Sequence, residues 1–123
     1  MLSSAILAAI PVALPALSRR PVLAVDLSAV TVNRVESQEI TLGADAATGL
    51  HLHPCPVVGY IVEGTVRFQV EGEEARVLNP GDAFHEPANA RMLHFDAVGG
   101  PAKFVAFYLL TDPRGDKIRM LPD

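Results

Sequence analysis

The sequence predicts an all-β domain, and three observations carry the prediction. After Arg20 the chain consists of short runs rich in Val, Ile, Leu and Phe, separated by Gly, Pro, Asp and Asn. In residues 65–70 apolar and polar side chains alternate, which buries one face of a strand and leaves the other in water. No helical pattern follows the N-terminal segment. Many short strands in so small a chain indicate a sandwich or barrel, closed most simply as a jelly roll.

Nine apolar runs of strand length follow one another along the chain. The predicted strands are residues 30–35, 38–42, 48–53, 57–63, 65–71, 74–78, 83–86, 91–95 and 103–110.

Glycine-containing joints separate several of these strands. Glu63-Gly64 predicts a tight hairpin, since glycine tolerates a positive φ, and Gly72 repeats this pattern one strand later. Asn79-Pro80-Gly81-Asp82 predicts a turn, because proline fixes φ at one position and glycine accepts the left-handed region at the next.

Length, composition and charge bound the classes of function. The 123 residues are half apolar and one-fifth charged, which fits a single folded domain with a real core. The net charge of -4 and the absence of tryptophan argue against nucleic acid and against an anionic membrane surface as partners. The single cysteine, Cys55, excludes an intrachain disulfide and a cysteine-based zinc knuckle.

An apolar segment, residues 2–17, opens the chain and has two interpretations. Its length suits the hydrophobic region of a secretory signal, which would make the protein periplasmic or secreted rather than cytoplasmic. Alternatively it is an arm that packs on its own barrel or on a partner subunit. We therefore divide the chain into an arm or signal-like segment, 1–20, and a barrel domain, 21–123, and expect no stable membrane insertion of the barrel.

His51-Leu52-His53 is the most informative motif for chemistry. Residues two apart on a strand point to the same face, so both imidazoles can reach one metal ion. A catalytic site of this kind needs a third ligand and usually a fourth, together with an open position.

Two segments around this pair resemble the conserved motifs of cupins. Residues 49–64 (GLHLHPCPVVGYIVEG) are similar to the first cupin motif, and residues 78–87 (LNPGDAFHEP) are similar to the start of the second. The resemblance extends over about residues 40–110 and implies a small, single-domain cupin with an RmlC-like jelly-roll barrel. It does not imply one reaction, because cupins include dioxygenases, isomerases, decarboxylases, lyases and ligand-binding modules.

The sequence departs from the cupin pattern at two ligand positions. Val57 stands where the first motif has its metal-binding Glu, and Met92 stands where the second motif has its His. Asp96 occupies the position of the family's Asn, where it could orient a histidine.

Three side chains are candidate replacements for the missing ligands. His94 lies two residues beyond Met92 and would face the same way on an extended strand. Glu86 ends a strand expected beside Val57, with Phe84 and Glu86 facing in and His85 facing out. Cys55 shares the period of the two histidines, but prolines flank it on both sides.

The resulting prediction is a metal-dependent enzyme, of oxygenase or isomerase type, acting on a small organic molecule inside a barrel. His51, His53 and His94 are the predicted ligands of Fe, Mn, Ni or Zn. Glu86 is the predicted fourth ligand or general base. The predicted substrate pocket includes Tyr60, Phe68 and Met92.

The sequence also allows two alternative functions and predicts one assembly state. The first alternative is a metal-free or weakly metal-binding module that holds or senses a small molecule, favoured by the replacements at Val57 and Met92. The second is a structural or interaction role through the N-terminal segment. A homodimer is predicted, since small barrels often pair through a sheet edge or an arm.

Overall fold

The computed structural model describes residues 16–123, which form an all-β fold without a helix in that range. Its seven strands form one sheet with antiparallel pairing. The strands are β1 (Arg34–Leu42), β2 (His51–Leu52), β3 (Val57–Val70), β4 (Arg76–Leu78), β5 (Ala83–Glu86), β6 (Met92–Leu110) and β7 (Arg119–Met120).

A long antiparallel pair, β3 with β6, organises the sheet. The strands β4 and β5 lie along β3, β1 and β2 lie along β6, and β7 lies beside β2. Four aromatic rings from three of these strands contact one another inside, with centroid separations from 4.5 to 5.9 Å between contacting rings. These rings belong to Phe68, Phe84, Phe95 and Phe104.

Two predicted turns, the one before β5 and the hairpin between β3 and β4, are confirmed. Strand β5 has the predicted bounds, and the preceding turn is closed by the amide of Asp82, which donates to the carbonyl of Asn79 at 2.9 Å. Gly81 in that turn has a φ of 95°. The hairpin at Gly72, with a φ of 88°, joins β3 to β4 as expected.

The predicted hairpin at Glu63-Gly64 is wrong, because β3 continues through both residues. Gly64 has the positive φ expected of it, 79°, but uses it where the pairing of β3 with β6 shifts register. Across this irregularity β6 carries additional residues around Gly99 and Gly100. The two strands expected on either side of Gly64 are therefore one strand, β3.

Other predicted strands also merge or shift. The runs 30–35 and 38–42 give the single strand β1, and the runs 91–95 and 103–110 give β6. Strand β7 was not predicted, because two residues carry no periodicity.

Residues 16–33 form an exposed segment without regular secondary structure before β1. The side chain of Arg20 donates to the carbonyl of Gly81 at 3.0 Å, so this segment contacts the barrel. The expectation for residues 1–15 lies outside the described residues. No helix within residues 16–123 has the length and apolarity to cross a membrane.

Candidate metal centre

The two histidines of the HxH motif lie side by side inside the barrel. His51 opens β2 and His53 follows its end, and both side chains are buried. Their ring centroids are 5.0 Å apart with the ring planes nearly perpendicular. The two side chains therefore face the same way, as predicted from the alternation of side chains along a strand.

Backbone carbonyls determine which ring nitrogens face the site. Nδ1 of His51 lies 2.7 Å from the carbonyl oxygen of Gly49, and Nδ1 of His53 lies 2.6 Å from that of Lys117. A carbonyl can only accept, so each Nδ1 must donate its proton. In the neutral imidazole Nε2 is then unprotonated and carries a lone pair, and this is the nitrogen that can bind a metal ion.

Glu86 brings a carboxylate to the same point from a neighbouring strand. It ends β5 directly opposite Val57 of β3, and it is only 4% exposed. Its Oε1 lies 3.5 Å from Nε2 of His51, and its Oε2 lies 3.3 Å from Nε2 of His53. Glu86 Oε1 is buried without a hydrogen-bond partner. The carboxylate absent at position 57 is thus supplied across the β3–β5 pair.

The electrostatics of this cluster require a cation. Three acceptor atoms converge in a buried place, which is unfavourable unless a proton or metal ion lies among them. Burial by itself would lower the pKa of His51, but Glu86 and the Gly49 carbonyl raise it above its ordinary value. Burial opposes ionisation of Glu86, yet the two facing imidazoles hold its pKa below the ordinary value.

The donor set of His51, His53 and Glu86 fits a divalent metal ion. Two imidazole nitrogens and one carboxylate form a recurrent set for non-haem iron and for catalytic zinc. Ligands at about 2.0–2.2 Å from one ion lie roughly 3 Å or slightly more from each other, close to the separations found here. The orphaned Glu86 Oε1 is an acceptor that such an ion would satisfy.

A cavity of about 230 Å³ opens beside the cluster. Apolar side chains from β1 and β6 form much of its wall. Its lining residues are Gln38, Ile40, Thr48, His51, His53, Glu86, Phe95, Phe104, Ala106, Tyr108 and Ile118.

His94 lies outside the cluster, contrary to the expected geometry. Gln69 of β3 pairs with His94, but the next residue, Val70, pairs with Met92, so Leu93 is an extra residue that forms a bulge in β6. The bulge reverses the alternation beyond Met92, which leaves Met92 buried and His94 partly exposed. Nδ1 of His94 lies 2.8 Å from Oδ2 of Asp96. Asp96 therefore does contact a histidine, but one that is remote from the candidate ligands.

The three predicted pocket residues do not line the cavity. Tyr60 is 40% exposed, because it faces away from the buried neighbours Gly59 and Ile61 on β3. Phe68 is buried behind the cavity against Phe84 and Phe95. Met92 is fully buried opposite His51 on β2.

Two further residues considered in the sequence analysis, Cys55 and His85, lie outside the cluster. Cys55 is buried in the apolar core, and burial raises the pKa of its thiol. His85 faces away from the cluster as expected, although its side chain is partly covered.

Sequence reasoning missed several cavity residues, since their contribution depends on strand register. On β1, Gln38 and Ile40 alternate inward and lie opposite Ala106 and Phe104. The alternation along β1 was a usable signal, but its inward face could not be chosen without the pairing. The other lining residues that were not predicted are Thr48, Phe95, Phe104, Ala106, Tyr108 and Ile118.

The chain is similar to known structures of low sequence identity. It matches a DMSP lyase with a TM-score of 0.64 and 22% identity, over 72% of this chain and 44% of that one. It matches oxalate decarboxylase from Bacillus subtilis with a TM-score of 0.61 and 19% identity, over 71% and 24%. A cupin-like protein from Thermotoga maritima matches with a TM-score of 0.61 and 22% identity, over 71% and 64%.

These similarities establish the fold. The chain spans less than half the length of the lyase and the decarboxylase chains. A comparison with curated proteins gave no match. The family model for the cupin domain matches residues 30–108, which is more than half of the sequence. The chain therefore belongs to the cupin domain family.

Proposed function

We propose that this cupin is a metal-dependent enzyme acting on a small organic molecule inside the barrel. The observation that carries the proposal is the convergence of His51 Nε2, His53 Nε2 and the Glu86 carboxylate at a buried cavity wall. Both Nδ1 atoms are committed to carbonyls, so these three acceptors are oriented for one cation.

The residues of the site define its chemical capacity. A bound divalent ion would supply either polarisation of a substrate oxygen or activation of dioxygen. His51, His53 and Glu86 would hold that ion. Glu86 can alternatively accept a proton from a substrate at its unpartnered Oε1.

Tyr108 provides a proton donor in the cavity. Burial, with the nearby Glu86 carboxylate and Cys55, raises the pKa of Tyr108 to about 12, so its hydroxyl stays protonated at neutral pH. That hydroxyl donates to Oε1 of Gln38 at 3.1 Å. Tyr108 can therefore accept a hydrogen bond from a substrate hydroxyl, or donate to a substrate oxygen in place of Gln38.

Two structural neighbours support the enzyme interpretation at the level of class. They are named as a DMSP lyase and an oxalate decarboxylase, both enzymes of small organic molecules. Oxygenase and isomerase chemistry are both compatible with the donor set, and consumption of dioxygen during turnover would distinguish them.

Elemental analysis tests the proposal. Protein expressed without added metal and purified without a metal column should carry about one equivalent of Fe, Mn, Ni or Zn. The double variant His51→Ala/His53→Ala should lose it. The control is His94→Ala, which removes a histidine outside the cluster and should retain the metal.

The alternative is a ligand-binding module without metal. Glu86 raises the pKa of His51, and the facing imidazoles lower the pKa of Glu86. An ion pair between these two residues would neutralise the buried carboxylate without a metal ion, which favours the alternative. Absence of metal after purification, with none taken up on titration, would replace the enzyme proposal with this one.

A further inference from the structure

We infer that the cavity selects a neutral, mainly apolar molecule with one hydroxyl or carbonyl oxygen at the cluster end, and discriminates against a carboxylate at the other end. The inference rests on the proposed function in one respect: the cavity beside His51, His53 and Glu86 is taken as the place where the substrate binds.

The charge of the cavity walls disfavours a carboxylate. Among the described residues that line the cavity there is no Lys or Arg, and residues 1–15 contain neither in the sequence. A carboxylate against these walls would lose its hydration without gaining a cationic side chain. Lys117 is the cation close in sequence to the lining residue Ile118, and its Nζ lies 3.1 Å from Oε1 of Glu36.

The cavity walls are mainly apolar. Phe95 and Phe104 contact each other at a centroid separation of 4.5 Å, and Ala106 lies beside them on the cavity wall. Ile40 and Ile118 add aliphatic surface. Such walls favour a flat or compact hydrocarbon body, because burying apolar surface is the main source of affinity in a pocket like this.

The few polar side chains that line the cavity indicate how many oxygen atoms its ligand contains. Thr48 Oγ1 is buried without a hydrogen-bond partner, and the hydroxyl of Tyr108 donates to the amide oxygen of Gln38. These neutral groups suit a hydroxyl or carbonyl. The cavity volume, about 230 Å³, is below the roughly 300–1,000 Å³ of sites for drug-sized ligands. The ligand is accordingly small, of the size of a substituted phenol.

Two probes of similar shape isolate the charge. The compounds 4-methylphenol and 4-hydroxybenzoate share a phenol hydroxyl for the cluster end and differ in a methyl or carboxylate at the far end. Their dissociation constants can be measured by ligand-observed NMR, on the protein as purified and after treatment with EDTA. We expect 4-methylphenol to bind at least about tenfold more tightly in both samples, since even one unpaired carboxylate is costly to bury.

A matched pair of variants tests whether the cavity wall is responsible. Gln38 lines the cavity, whereas Ser37 beside it on β1 lies on the opposite face of the strand. Both residues are exposed enough to accept a lysine without loss of the core. Gln38→Lys should raise the affinity for 4-hydroxybenzoate about tenfold relative to the affinity for 4-methylphenol. Ser37→Lys, with the same change in net charge, should alter neither.

Three results would overturn the inference. They are equal or tighter binding of 4-hydroxybenzoate by the unmodified protein, no binding of 4-methylphenol, and equal effects of Gln38→Lys and Ser37→Lys. Metal content measured on the same samples separates this inference from the proposed function. A protein without metal that still prefers 4-methylphenol would refute the enzyme proposal and retain the assignment of the cavity.

Discussion

Two backbone carbonyls decide what His51 and His53 can do. By accepting from Nδ1, the carbonyls of Gly49 and Lys117 leave Nε2 as the atom that faces Glu86. The contact from Lys117 comes from a residue 64 positions further along the chain. The histidine pair is readable in the sequence, but this orientation is not, because it depends on where the C-terminal segment lies.

Metal affinity should depend on pH through His51. Its pKa is raised by Glu86, so in the metal-free protein His51 keeps its proton to a higher pH than an ordinary histidine, and a metal ion must displace that proton. Affinity should therefore rise as the pH rises through that pKa and then level off. Titration calorimetry in two buffers of different ionisation enthalpy measures the number of protons released.

Glu86→Gln should change both the metal affinity and the number of protons released on metal binding. It removes the carboxylate that raises the pKa of His51, so fewer protons should be released at the same pH. It also removes a ligand, and the affinity should fall by more than the roughly 10- to 100-fold typical of losing an outer-shell partner. His94→Asn is the control and should match the unmodified protein. Unchanged proton release in Glu86→Gln would contradict this account of the site.

At the scale of the strands, Gly64 has a role that its sequence context disguises. A Cβ at this position would approach the Cα of Ala102 to 2.7 Å and would also meet the carbonyl of Pro101. Gly64 therefore permits both the positive φ and the close contact of β3 with β6 at the register shift.

Two glycine variants separate these contributions. Gly72 has a similar positive φ, 88°, but a Cβ there would meet no atom within 4 Å. Gly72→Ala should cost only the backbone strain, about 1 kcal/mol of unfolding free energy. Gly64→Ala should cost about 2 kcal/mol more, since the neighbouring backbone must shift. Urea denaturation of both variants gives the comparison, and equal losses would show that the contact with β6 is unimportant.

Local patterns predicted the elements whose signal is local. The bounds of β5, the turn before it and the alternation in the second half of β3 are confirmed. The continuity of β3 could not be read, because a glycine with positive φ serves a hairpin and a bulge equally well. The position of His94 was wrong for a related reason. One extra residue, Leu93, reverses which side chains of β6 face inward, and no feature of the local sequence marks it as a bulge.

At the scale of the whole molecule, the resemblance to cupins predicted the fold, while the contents of the cavity required the register of β1 on β6. Length and apolar content predicted a real core, and a core cluster of buried side chains is present. The outward face of the sheet is also notably apolar. Val35, Val62 and Phe107 are 57%, 40% and 40% exposed on β1, β3 and β6.

The homodimer remains a prediction, and this outward face suggests a way to test it. Multi-angle light scattering should give twice the chain mass of 13.1 kDa. Phe107→Glu would place a charge on the face and should shift the mass toward the monomer without loss of the fold, since the side chain is exposed. A monomeric mass for the unmodified protein would exclude the predicted assembly.

The central claim is that one divalent ion is held by His51, His53 and Glu86. Crystals of the protein as purified, measured on both sides of the absorption edge of the metal identified by elemental analysis, would locate that ion by anomalous scattering. The account predicts one peak about 2.0–2.2 Å from Nε2 of each histidine and from a Glu86 oxygen. A peak elsewhere, for example beside His94 and Asp96, or no peak in protein that retains metal in solution, would contradict it.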